Sequence, residues 1–476
     1  MLQVLNAKKI VESHGISNTH LIFRKDEYRV GIGAPPQTMV VSEEGGSITL
    51  DFGKEMCGGI GLYIYHIIAP DDTRESTVHI RFGESLTEAN SILGEKGSCN
   101  HHSPRDFMQV IAGGSNLVYG NTGYRFVRLD FTPGAKILIK AIKGTNHILR
   151  LPVKYKYQGK DKLIKKIYDA SKRTIDLCAG QDFVWDGIKR DRQVWMGDLW
   201  LASHGINLLY GRVKAVENSL DFDRVRIEGN GGGWSCSIPG ESMCWAINLA
   251  EYCLKNKCWD FARKEFEFFK DRIRLFNTCI DDNGKMSFSR YFIDWASDGC
   301  GDEEAFTRAH AVYTAKKAIE LYEALGEDAT EPKRLLKNAL NGDFSMKVRK
   351  QAIGYKYFVL GEISDEEYDK LIRGGTEGFA PSMAYFILNA IASRDKELAI
   401  KLMKEYYGGM INKGATTFWE GYEPSWGEGS GRIDRKTPKG KKDIHADFGE
   451  HCFVGVRNSL CHVWSGGIIR FIKENC

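Results

Sequence analysis

The apolar residues of this chain change their spacing near residue 150, and that change limits what it can fold into. From about residue 45 to 145 the period is two. ITLDF alternates Ile48, Leu50 and Phe52; VHIRF alternates Val78, Ile80 and Phe82; YRFVRLDF puts Val127, Leu129 and Phe131 on one face. Turn signals such as PDD, GGSN, GNTG and TPG separate these runs, so they read as antiparallel strands with one buried face each. After LRLPVKYKYQG the period becomes 3.6. Ile164, Ile167, Ser171, Ile175 and Cys178 form one stripe; Trp259, Ala262, Phe266, Phe269, Ile273 and Phe276 form a second; Ala311, Ala315, Ala318, Tyr322 and Leu325 form a third, stopped by Gly326.

The expected architecture is therefore multidomain, an N-terminal antiparallel β-sandwich over residues 1–150 followed by a helical domain over 151–476. Further helices are expected near 192–210, 243–254, 364–373, 383–393, 395–407 and 454–473. No repeat of 33 or 34 residues is present, which favours a closed helical barrel or bundle over a solenoid. In such a domain the long Gly- and Trp-bearing loops carry the chemistry.

Bulk properties exclude several function classes. At 476 residues the chain suits two or three domains. Its 66 basic and 62 acidic residues are spread along the whole length, so no stripe that would neutralise phosphates stands out and nucleic acid is not expected as a partner. The basic runs RVKAVENSLDFDRVR and RKTPKGKK read as solvated faces and a loop. No apolar stretch reaches the ~20 residues of a membrane span, and MLQVLNAKKIVESHG lacks the apolar region of a secretory signal. A cytoplasmic location with no membrane partner is the expectation. The twelve cysteines fall at scattered apolar positions such as Cys178, Cys244 and Cys253, as reduced thiols packing like small hydrophobes do.

Two loops concentrate carboxylates and aromatic rings. VWDGIKRDRQVWMGDLW, residues 184–200, sets Asp186, Asp191 and Asp198 among Lys189, Arg190 and Arg192, with Trp185, Trp195 and Trp200 between them. A carboxylic acid that stays protonated near neutral pH needs burial or neighbouring negative charge, and this segment offers both. The cations oppose this unless they turn to another side or grip substrate hydroxyls. GATTFWEGYEPSWGEGSGR, residues 414–432, interleaves Glu420, Glu423 and Glu428 with Trp419, Tyr422 and Trp426. Each loop alone is also what a solvated acidic surface loop looks like, with its charges paired off locally. Together they match the need of glycoside hydrolysis for two carboxylates flanking one bond. A third cluster, His445, His451, Cys452, Cys461 and His462, matches no paired Cys/His metal spacing, so no metal and no cofactor are expected. GNGGGW, residues 229–234, follows no strand and is not a phosphate loop.

The motif DGIKRDRQVWMGDL resembles the signature of the α-L-rhamnosidases of glycoside hydrolase family 78. GATTFWE, KKDIHADFGEHC and SLCHVWSGG are similar to that family's downstream blocks, and LDFGKEMCGGIGL with GYRFVRLDF resembles the β-sandwich that precedes its catalytic domain. The resemblance implies an (α/α)6 barrel of six helical hairpins and single-displacement hydrolysis with inversion. It puts Asp191 at the general acid, where the family usually has Glu, and Glu420 at the general base. Asp186, Arg190, Trp195 and Asp198 fall on sugar-binding positions, Trp295 on an aromatic wall and His462 near the base; Trp245 of IPGESMCW is counted with the substrate-binding positions. Aspartate at the acid position shortens its reach by about 1.5 Å. Gly240 and Glu241 stand where the family commonly has an aspartate and an aromatic residue. The chain ends at FIKENC, without the C-terminal β-sandwich that usually closes the architecture. The expected function is an inverting glycosidase acting on terminal α-L-rhamnosides or an oligosaccharide bearing them. The alternatives are the same reaction on another sugar, or a carbohydrate-binding protein on a decayed hydrolase scaffold.

Overall fold

The structure, a computed structural model, describes residues 2–25, 37–189, 192–292, 295, 298–450 and 453–476. Strands fill the first part of the described chain: β1 (Leu2–Leu5), β2 (Lys9–His14), β3 (Ile16–Ser17), β4 (Met39–Val41), β5 (Gly46–Ile68), β6 (Glu75–Gly83), β7 (Asp106–Ala112), β8 (Asn116–Phe131) and β9 (Lys136–His147). The period-two runs form them. Ile48, Leu50, Phe52, Val78, Ile80, Phe82, Val127, Leu129 and Phe131 are all buried in one core. Register agrees with the pattern, since Leu129 of β8 pairs with Ile48 on one side and Ile80 on the other, and Val127 with Leu50 and Phe82.

Hydrogen bonding joins these strands into one nine-stranded antiparallel network in the order β3-β4-β9-β5-β8-β6-β7, with β1 on β9 and β2 on β5. β5 is the long member. Its first half pairs with β2 and β8, its second with β8 and β9. Strand structure also begins earlier than the alternation near residue 45 suggests, because β1 to β3 are edge segments too short and too exposed to show a period. A short helix α1 (Leu86–Asn90), capped by the Ser85 hydroxyl, follows β6.

The rest is helical: α2 (Lys162–Cys178), α3 (Met196–Leu209), α4 (Lys214–Gly229), α5 (Pro239–Asn256), α6 (Trp259–Cys279), α7 (Glu303–Leu325), α8 (Thr330–Leu340), α9 (Lys350–Leu360), α10 (Asp365–Ile372), α11 (Ala384–Ala392), α12 (Lys396–Asn412), α13 (Pro424–Gly427) and α14 (Ile468–Asn475). Asp161 caps α2, a Ser364–Glu367 capping box opens α10, and Gly326 ends α7 in the left-handed region. Contacts run in a circle from α3 to α5, α7, α9, α11, α14 and back to α3. In sequence these alternate with α2, α4, α6, α8, α10 and α12, which pack against the circle and one another. Among the described residues no helix is long and apolar enough to cross a membrane.

Two expectations change. RVKAVENSLDFDRVR is the helix α4, whose Arg224 bridges Asp221, Glu228 and Glu265 on its polar side while Val216, Leu220 and Ile227 are buried. The stretch 454–473 is not one helix. A 3-10 turn at Gly455–Arg457, an antiparallel bridge from Gly187 to His462 and a 3-10 turn at Val463–Gly467 precede α14. Val456, Leu460, Cys461 and Val463 are buried. The backbone around them bonds to neighbouring loops instead of closing helical turns.

Candidate active site

The loop that opens the first acidic motif is pinched by Asp186. Its Oδ1 accepts the N–H of Gly187 at 2.6 Å and of Gln193 at 2.9 Å, and its own N–H donates to the Gln193 carbonyl at 3.0 Å. Gly187 and Gln193 are therefore brought together at Asp186. The other end of the motif is helical. Trp195 is the N-cap residue of α3, and Asp198 lies in that helix's first turn, where the dipole favours negative charge.

The second acidic loop meets it. Glu420 donates its N–H to the Ser459 carbonyl at 2.9 Å, and its Oε2 accepts the Ser459 N–H at 2.9 Å. His462 donates its N–H to the Phe418 carbonyl, and Val463 donates to the Asp186 carbonyl at 2.7 Å. The segment 458–463 thus lies between the Asp186 loop and the Glu420 loop, bonded to both. From it His462 brings Nδ1 to 3.3 Å from Asp198 Oδ1, with its ring 4.1 Å from that of Trp464.

The carboxylates converge on Asp198. Burial first, then the negative charges of Asp186, Glu241 and Glu420, hold its carboxyl well above the usual range. The setting favours the protonated form of Asp198, which can donate a hydrogen bond as well as accept one. Its Oδ1 and the Trp464 indole N–H make no hydrogen bond within the described residues, an uncommon state for buried polar atoms and one that hydroxyl groups of a ligand would relieve.

Glu241 is the member that motif reading treated only as a departure. It sits in the first turn of α5, and its Oε2 accepts the N–H groups of Met196 at 2.8 Å and Gly197 at 3.0 Å, capping α3 from outside. Burial pushes its carboxyl up to about 7, against the lowering effect of those two N–H groups. A Cβ at 197 would stand 2.8 Å from Glu241 Oε1, so a larger residue there would shift the Glu241 carboxylate. The signal for this was the unusual acid one helical turn before Trp245, in a chain segment with no other charge.

Two cations of the first motif, Lys189 and Arg192, contact other groups. Lys189 is buried on the side of the sheet, 3.0 Å from Glu84 Oε2 and 3.3 Å from Glu88 Oε1. Arg192 lies over the Trp185 ring at 4.0 Å and donates to the Asn121 carbonyl. Arg190 and Asp191 lie outside the described residues, as do His451 and Cys452.

Several expected contacts are placed elsewhere. Trp245 does not join the site. It is fully buried in the helical core, its indole N–H donates to the Leu220 carbonyl at 2.9 Å, and its ring meets Phe268 edge-on. Trp419, Tyr422 and Trp426 are buried, Trp419 edge-on to Tyr422 and Trp426 stacked on Phe448. Trp295 is 45 % exposed, against Phe292 and near Arg290. Glu428 is exposed, and Glu423 accepts the Gly378 N–H.

His445 belongs to the Lys189 cluster, away from His462. Its Nε2 contacts the Asn458 carbonyl at 2.9 Å, which makes that nitrogen the protonated one, and Nδ1 meets the Ser85 hydroxyl at 2.7 Å. Glu84, Glu88 and His445 are close enough together to suggest a cation site, but the Lys189 ammonium bonds both carboxylates.

No family model matches the sequence, and no curated protein does. Solved structures do resemble it. A rhamnosidase from Klebsiella oxytoca with rhamnose bound aligns over 100% of this chain and 96% of that one, with TM-score 0.70 and 17% identity. A GH78 family rhamnosidase of Bacillus sp. GL1 aligns over 93% of this chain with TM-score 0.70 and 17% identity, and an alpha-L-rhamnosidase from Dictyoglumus thermophilum over 99% with TM-score 0.66 and 16% identity. This chain spans 48% and 51% of the length of those two. From first strand to last helix, the chain is similar in fold to the α-L-rhamnosidases of family 78.

Proposed function

We propose that the protein is an inverting glycoside hydrolase that removes terminal α-L-rhamnosyl groups. The observation that carries this reading is the convergence of Asp186, Glu241 and Glu420 on Asp198, beside His462, in a fold similar to that of rhamnosidases. The circle of contacts through α3, α5, α7, α9, α11 and α14 supports an (α/α)6 barrel of six hairpins, with residues 1–150 as a sandwich-like domain and 151–476 as the catalytic domain.

In the proposed scheme Asp191 protonates the leaving oxygen while Glu420 takes a proton from the attacking water, through an oxocarbenium-like transition state. Ser459 orients the base by its N–H. Asp198 and Asp186 hold sugar hydroxyls together with Arg190, Trp195 and Trp295, and His462 stands 3.3 Å from Asp198. Two carboxylates on opposite faces of the sugar, about 6.5–9.5 Å apart, leave room for the water.

Release of p-nitrophenol from a panel of aryl glycosides tests the proposal. The α-L-rhamnoside is expected to turn over, and Asp191→Asn and Glu420→Gln each to lower kcat by about 10²–10⁴-fold. Turnover of a different glycoside with the same two variants dead would move the sugar, not the mechanism. Rhamnose binding without turnover of any glycoside would replace the reading with a sugar-binding protein.

A further inference from the structure

The sheet reaches into the site through one buried ion pair. Glu84 follows the last residue of β6, and its Oε2 accepts the Leu460 N–H at 2.6 Å while standing 3.0 Å from Lys189 Nζ. The Lys189 ammonium is also 3.3 Å from Glu88 and donates to the carbonyls of Val456 at 2.7 Å and Asn458 at 2.8 Å. The Glu84 and Lys189 side chains are only 0% and 4% exposed, so each charge depends on the other for its burial.

Both ends of this pair lead to the carboxylates. On one side, the held carbonyl of Asn458 and the held N–H of Leu460 flank Ser459, whose N–H and carbonyl both bond Glu420. On the other, Lys189 lies three residues after Asp186, whose carboxylate accepts the Gly187 and Gln193 N–H groups. Ile188 and Lys189 rest on β8. Thr122 Oγ1 donates to the Lys189 carbonyl at 3.2 Å, and a Cβ on Gly123 would stand 2.7 Å from Ile188 Cγ1 and 2.9 Å from the Lys189 nitrogen, so glycine permits the close approach. His445 adds a second hold on the Asn458 carbonyl.

We infer that Glu84 and Lys189 are positioning residues that tie the segment 458–460, and through Ser459 the Glu420 carboxylate, to the end of β6, so that a residue at the edge of the N-terminal sheet sets where Glu420 stands. Neither touches substrate. This rests on the hydrolase reading above, and it gives the sheet a part in the site beyond covering the barrel. Arg105 stands against Glu88 and Lys189 against Glu84, while burial and then Glu84 push the neighbouring Glu55 carboxyl well up.

Two measurements on the full chain test it with Glu84→Gln, Lys189→Met and the conservative Lys189→Arg. Hydrogen exchange of the peptides spanning 456–463 and 417–422 reads the positioning directly and does not need turnover. Faster exchange in both peptides for Glu84→Gln and Lys189→Met, with the remaining helices still protected, is expected. On the aryl substrate that the wild type cleaves, kcat is expected to fall at least about 10-fold with KM within about 3-fold, as misplacement of reacting groups does, and Lys189→Arg to recover part of the loss. Folded variants with wild-type exchange in both peptides, or with kcat unchanged on a cleaved substrate, would overturn the inference. A wild type that cleaves nothing would sink the hydrolase reading, and the exchange result would still decide for or against the positioning.

Discussion

Asp198 and Trp245 separate what motif reading can and cannot assign to single residues. Both sit in blocks resembling a glycosidase, yet one faces the other carboxylates and the other is core. Trp245→Phe is therefore expected to lower stability by about 1–3 kcal/mol, through lost packing and the lost bond to Leu220, and to leave KM within about twofold. Urea melts and steady-state kinetics on the same preparation check this; a raised KM with unchanged stability would return Trp245 to the substrate. For Asp198, replacement by Asn gives a neutral side chain of the same shape. Because burial and its acidic neighbours push the native carboxyl well above the usual range, Asp198→Asn is expected to keep more activity than Asp198→Ala, and kcat/KM for the pair orders them. Equal losses would show that ionised Asp198 is what the site needs.

At the scale of elements, the strands were legible because period two maps directly onto a buried face, and Ile48, Leu50, Val127 and Leu129 are buried as the alternation requires. The helices with one apolar stripe, such as α2 and α6, were legible for the same reason. The segment 454–473 was not, since its apolar residues are buried between two loops and its backbone partners, Glu84, Lys189 and Glu420, come from three distant parts of the chain. Lys189 shows the same limit. Next to Arg190 and Arg192 it reads as a surface charge, and only the fold brings it to Glu84.

His445 makes this element sensitive to pH. Burial first, then the Lys189 charge, pushes its imidazole down to about 4 from 6.5, so the folded chain excludes a proton that the unfolded chain accepts. Above pH 6.5 both states are neutral and the site contributes no pH dependence. As pH falls from 6.5 towards 4, stability falls by up to about 3 kcal/mol on account of this residue. Glu241, pushed up to about 7, acts in the opposite direction, its stabilisation being lost as pH rises from about 4.5 towards 7. Comparing wild type with His445→Gln isolates the first effect. The stability gap between them is expected to narrow on acidification, and a gap that stays constant between pH 7 and 4.5 would contradict a neutral buried imidazole.

On the scale of the whole molecule, the sheet and the helices share the site. The Asp186 loop lies on β8 at Gly123, the segment 456–463 is held by Glu84, and Arg125 of β8 donates to the Gly414 carbonyl at the start of the Glu420 loop. The change of period near residue 150 revealed two kinds of structure, but not that one completes the other. Solved rhamnosidases are similar to this chain in fold along its length, and the account stands on whether the chain performs the chemistry proposed for it. The configuration of the first-formed sugar is the most direct test. Proton NMR of the hydrolysis of an aryl α-L-rhamnoside, recorded before mutarotation, is predicted to show β-L-rhamnose appearing first, with no release in Glu420→Gln. First appearance of the α anomer, or release undiminished in that variant, would contradict a single displacement with Glu420 as the base.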